Sequence, residues 1–133
     1  MRWLLRSVMC DLMPPSSTLP GLADTGIDTF LVRLQRETSG PTWLGLVLGA
    51  ILYAVTPVAT VGWPIPSFWL PASARALHAE RAMSTRFYLL RQSLFLLKMY
   101  ACMCWGQDTR VRQLLNVAPY PEDPGSFRQG VEQ

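Results

Sequence analysis

His78 is the only histidine of the chain, and it stands in the run His-Ala-Glu-Arg, 78–81. A lone imidazole can act as a general base only with a nucleophile or a substrate-positioning group beside it. No such group is identifiable by spacing, so His78 is expected to be an exposed or capping helical residue. A single histidine also excludes multi-histidine metal sites. The cysteines are Cys10, Cys102 and Cys104. An odd count gives no disulfide framework. On a helix, Cys102 and Cys104 point about 200° apart, so they cannot chelate one ion. Buried reduced thiols are the expectation for all three. The carboxylates are scattered: Glu122 and Asp123 adjoin in a proline-rich tail, and Glu80 with Arg81 reads as a solvated helix face. Gly21 and Gly26 are isolated, and neither nucleotide-binding glycine fingerprint is present. The expectation is therefore no catalytic, cofactor-binding or metal-ligating residue, and no cofactor.

What remains is surface. From Thr38 to Ala74 there are 37 consecutive residues with no Asp, Glu, Lys, Arg, His, Asn or Gln. The chain is 50% hydrophobic and 16% charged over 133 residues, against about 25% charged for ordinary soluble domains. Its net charge of +3 is dispersed, which does not fit a nucleic-acid interface. The apolar stretch needs cover from its own core, a partner protein or a bilayer. The candidate contacts to a partner or membrane are Trp43, Leu44, Leu46, Val47, Leu48, Ile51, Leu52 and Val55. Gly45 and Gly49 add the spacing that lets membrane helices approach closely.

The elements that position these residues read as helices throughout. Residues 1–12 have helical spacing, with Trp3, Leu4, Val8 and Leu12 apolar and Arg2, Arg6 and Asp11 polar. Pro14-Pro15 ends that helix. Asp24 or Thr25 is expected to cap a second helix over 25–37, with Ile27, Phe30, Leu31 and Leu34 inward. Thr42 is the expected cap of the apolar helix, which runs over 43–57 until Pro57 kinks or breaks it. A proline-rich connector covers 62–72, and 73–105 reads as one or two amphipathic helices. Within it Phe87, Leu90, Leu94, Leu97, Ala101 and Cys104 make one face, with Arg91 and Lys98 on another. Gly106 is expected to close it. Asp108 caps a last helix, Thr109 to Leu115, with Val111, Leu114 and Leu115 inward and Asn116 as a left-handed stop. The fold class is all-α: one domain over 1–118, a bundle of about four to six helices with one very apolar helix. The tail 119–133 reads as flexible.

This order resembles the small helical companions, and fused N-terminal regions, of glucose-methanol-choline (GMC) flavin oxidoreductases. It looks like the gluconate 2-dehydrogenase subunit 3 group and the N-terminal part of long-chain alcohol oxidases. The resemblance rests on LLRSVMCDLMPPSSTLPGLADTGIDTFLVRL (4–34), LGLVLGAILYAVTP (44–57), FWLPASARALHAERAMSTRFYLLRQ (68–92), LFLLKMYACMCW (94–105) and DTRVRQLLN (108–116). It implies a non-catalytic accessory or chaperone-like subunit whose partner is a large flavoprotein oxidoreductase holding the flavin and its catalytic histidine. The connector WPIPSFWLPAS is less charged than the family pattern, and the twin-arginine signal of some members is absent.

Three readings follow. The first is that accessory subunit. The second is a small single-span membrane protein, since 21 helical residues from Trp43 to Trp63 reach about 31 Å. The third, a small enzyme, has no visible nucleophile, metal set or nucleotide loop. The N-terminus lacks a convincing export signal, so a cytoplasmic or membrane-associated location is expected. The first reading is preferred, because Pro57 leaves an apolar helix of about 14 residues, short for a crossing.

Overall fold

The computed structural model describes residues 1–118. The tail expected at 119–133 lies outside the described residues. Seven α-helices occur in them: α1 Arg2–Leu12, α2 Ile27–Glu37, α3 Gly40–Val55, α4 Pro57–Thr60, α5 Ala72–Met83, α6 Tyr88–Gln107 and α7 Thr109–Leu114. Two single 3-10 turns, Leu22–Asp24 and Ser67–Trp69, complete the order. There is no strand among the described residues, so the all-α expectation holds.

The bundle is organised around α6, which packs on α1, α2, α3, α5 and α7. Its inward stripe is Leu90, Leu94, Leu97, Ala101 and Cys104, all buried. Against it lie Leu4, Leu5, Val8, Met9 and Leu12 of α1, Leu46, Val47, Ala50 and Tyr53 of α3, and Ile27, Leu31 and Leu34 of α2. Phe87, expected on that stripe, is instead the exposed residue preceding the helix. The break between α5 and α6 settles 73–105 as two helices.

Gly49 is buried where α3 crosses α6. A β-carbon there would lie 2.8 Å from Ser93 Cβ, whereas one at Gly45 meets nothing within 4 Å. Only Gly49 therefore serves close approach, and it does so inside the bundle. Gly49→Val is expected to lower stability by about 2–3 kcal/mol through overpacking. Gly45→Ala is expected to raise it by up to about 1 kcal/mol through helix propensity. Urea denaturation of the pair checks the crossing point.

Several boundaries differ from expectation for local reasons. Asp24 accepts from Gly21 N (3.1 Å) and so closes a tight turn, leaving α2 to start at Ile27 behind Gly26. The apolar helix starts at Gly40, behind Ser39, not behind Thr42; the two hydroxyls bond each other at 2.9 Å. Gly106 does not end α6, which continues to Gln107. Asp108 then caps α7, its Oδ1 accepting from Arg110 N and Val111 N. Asn116 takes the left-handed stop at φ 53°. Of the three residues expected inward on α7, Val111 is buried and Leu114 and Leu115 are exposed.

Two loops are tied to the body. Trp105 Nε1 donates to Pro20 O (2.9 Å), fastening the 14–21 loop to α6. Phe68 packs edge-on against Trp3 at 5.4 Å, seating the 62–72 connector on α1.

No helix among the described residues is long and apolar enough to cross a membrane. The span considered over 43–63 is divided: α3 stops at Val55, α4 is a single turn, and the chain then enters the connector. Pro57 is the physical cause, because it offers no N–H to the preceding turn.

Candidate functional site

The expected contact residues separate into two sets on α3. Leu46 and Val47 are buried in the core, so they are not available to a partner. Trp43, Ile51 and Leu52 are half-buried against that core. Leu44, Leu48 and Val55 are more than half exposed. With a rotation of about 100° per residue, Leu44, Leu48, Leu52 and Val55 form one outward stripe. Val58 and Trp63 extend it, and a notch of about 360 Å³ lined by Val55, Val58, Trp63, Pro64, Ile65 and Pro66 closes its end.

Helix α6 presents a second exposed apolar face. The Gly49–Ser93 contact is the seam between the helices. Leu89, one turn before Ser93, receives the Ser93 hydroxyl at its carbonyl (2.8 Å) and exposes its side chain. Around the same helix follow exposed Tyr88, Phe95, Met99 and Met103. Phe95, Lys98, Met99, Cys102 and Met103 line a shallow groove of about 540 Å³. Methionine side chains adapt to irregular partners. Sequence reasoning offered α3 and, on α6, the 87–104 stripe, which is buried apart from Phe87; it missed this opposite face, where Tyr88, Phe95, Met99 and Met103 repeat at helical spacing.

His78 is buried, contrary to the exposed or capping role expected. Its Nε2 lies 3.1 Å from Tyr53 O, and its Nδ1 lies 2.5 Å from Thr60 Oγ1. Tyr53 O is the carbonyl that Pro57 cannot serve, four residues on. The consistent arrangement is a neutral ring donating from Nε2 to Tyr53 O and accepting the Thr60 hydroxyl at Nδ1. Burial holds the imidazole below its usual pKa, with the bond to Tyr53 O working the other way. One turn on, Arg81 Nη1 donates to Thr60 O (2.7 Å). Helix α5 thus supplies two donors to the proline break. This is a structural latch, its ring fully buried.

A second polar group lies on the other side of Tyr53. Asp11, expected on the polar face of α1, is largely buried with Arg75 Nη1 at 3.8 Å from Oδ1. Asp11 Oδ2, Arg75 Nε and the Tyr53 hydroxyl are buried without a hydrogen bond. Burial pushes Asp11 up to about 6 from 3.8, only partly offset by Arg75. The Tyr53 phenol is also raised, by burial and then by the Asp11 charge. Because the folded pKa of Asp11 exceeds the unfolded one, its contribution favours folding fully below about pH 3.8. That contribution is lost as pH rises through about 6. The displacement corresponds to about 3 kcal/mol. The stability of Asp11→Asn relative to the parent is therefore expected to rise by about 2 kcal/mol from pH 4 to pH 7, measured by urea unfolding. His78 has the opposite sign: its depressed pKa removes stability as pH falls below about 6.5. It is common to both proteins and cancels in the comparison.

The cysteines differ from the expectation of three buried thiols. Cys104 is buried, Cys10 is half-buried and Cys102 is exposed, with Met13 Sδ at 3.7 Å. No group of three His, Cys, Asp or Glu capable of holding a metal occurs among the described residues. No protein-family model, no curated protein and no solved structure matches the chain.

Proposed function

We propose that this chain is a non-catalytic accessory or chaperone-like subunit that packs against a large flavin-dependent oxidoreductase. The observations that carry the docking reading are the exposed stripe Leu44, Leu48 and Val55 of α3, flanked by half-buried Leu52, and the exposed face Leu89, Phe95, Met99 and Met103 of α6. Within the bundle, α3 is the very apolar helix of the sequence reading. Its core side is already filled, so its remaining side chains have no intramolecular use. Exposed apolar surface of this extent favours a protein contact. The choice of a flavoprotein rests on the resemblance of 4–34, 44–57, 68–92, 94–105 and 108–116 to the companions of GMC oxidoreductases.

The latch at His78 supports the same reading. It ties the end of α3 and the turn after it to α5. A preformed face loses less entropy on association. The test is co-expression with the GMC-type flavoprotein of the same genome and purification through a tag on each chain in turn. A complex of fixed stoichiometry with visible flavin absorbance is expected. A monodisperse monomer that ignores that flavoprotein contradicts the proposal.

A further inference from the structure

Arginines in this fold are mostly engaged. Arg6 pairs with Asp28, Arg33 with Glu37 and Arg75 with Asp11. Arg81 and Arg110 donate to backbone carbonyls. Arg2, Arg36, Arg86 and Arg91 are exposed and make no hydrogen bond or ion pair among the described residues, and of these Arg86 and Arg91 stand beside the exposed apolar face of α6. From Arg81 to Gln107 the sequence contains no Asp or Glu. Arg91 lies three residues after Tyr88 and four before Phe95, so all three share one face of α6. Arg86 stands just before that helix, near exposed Phe87, Tyr88 and Leu89. Lys98 lines the Phe95–Met103 groove as well, but it is half-buried and also borders a second groove with Asp11 and Glu80.

We propose that the flavoprotein's docking surface carries carboxylates opposite Arg86 and Arg91, at the edge of an apolar patch that meets Leu89 and Phe95. The inference rests on the docking reading above and adds the partner's chemistry. Guanidinium groups bind carboxylates with two parallel hydrogen bonds, and their charge steers encounter. An anionic lipid surface is the weaker match, since lipid-binding patches gather four to eight cations and the edge of this apolar patch carries only Arg86 and Arg91, while the other exposed unpaired arginines, Arg2 and Arg36, stand on α1 and α2.

The test is titration of the same genome's GMC-type flavoprotein with the parent chain, with Arg86→Glu/Arg91→Glu and with Leu48→Asp, over a range of salt. Circular dichroism verifies that each folds. The charge reversal is expected to weaken binding about tenfold or more at low salt and to abolish its salt dependence. Arg86→Gln/Arg91→Gln should fall between. If Leu48→Asp loses binding and the charge reversal does not, the carboxylate inference is overturned while the docking reading stands. If the parent does not bind, both fall. Binding of the parent to phosphatidylglycerol vesicles but not to the flavoprotein, lost on charge reversal, would assign the arginines to lipid and overturn the inference.

Discussion

Replacing His78 with alanine is expected to lower the unfolding free energy by about 3 kcal/mol. The loss has two parts. Removing a fully buried ring leaves a cavity beside Tyr53, whose ring centroid lies 4.3 Å from that of His78. It also withdraws the Nε2 donor from Tyr53 O and the acceptor from the Thr60 hydroxyl. Tyr53 O keeps the Thr56 N–H (3.3 Å) and Thr56 Oγ1 (3.0 Å) as donors, so that part of the loss is moderate. The cause upstream is Pro57, which cannot donate to that carbonyl. A double-mutant cycle isolates the connection. In a Pro57→Ala background the backbone N–H of residue 57 becomes available. His78→Ala is then expected to cost about 1 kcal/mol less than in the parent. Equal losses in both backgrounds, by urea unfolding, would refute the latch.

Leu48→Asp is expected to weaken binding to the flavoprotein by about 2 kcal/mol or more, some thirtyfold, with stability unchanged within about 0.5 kcal/mol. The reason is position: Leu48 is more than half exposed at the middle of the outward stripe, and it contributes little to the core. Leu46→Asp, two residues away, is the contrast. Leu46 is fully buried, so a carboxylate there is expected to prevent folding. Together the two variants separate the face that builds the bundle from the face offered to a partner. Isothermal titration and urea unfolding of Leu48→Asp give both numbers.

Local chemistry explains what the sequence made legible. The leucine stripe of α6, the Asp108 cap, the Asn116 stop and the break at Pro57 each depend on residues within a few positions of one another. The role of His78 is not local in that sense. It depends on a carbonyl 25 residues away. Yet a clue existed: a proline inside an apolar helix frees a carbonyl that some buried donor must meet, and the chain has one histidine to offer. The burial of Asp11 had no such clue, because α1 has to be packed against α3 and α5 before its polar side is enclosed. Leu46 and Val47 could not be told from Leu44 and Leu48 by composition, since the whole of 43–55 is uncharged. Which side of α3 faces inward is decided at the crossing with α6, where Gly49 meets Ser93.

A photoreactive benzoylphenylalanine placed at position 48, at 95 or at 36 tests the central claim most directly. Leu48 and Phe95 lie on the proposed docking face, whereas Arg36 is exposed at the end of α2. Irradiation with the same genome's GMC-type flavoprotein is expected to give covalent adducts from positions 48 and 95 and none from 36. Adducts from 36 alone, or none from 48 and 95, would contradict the claim that this face holds the flavoprotein.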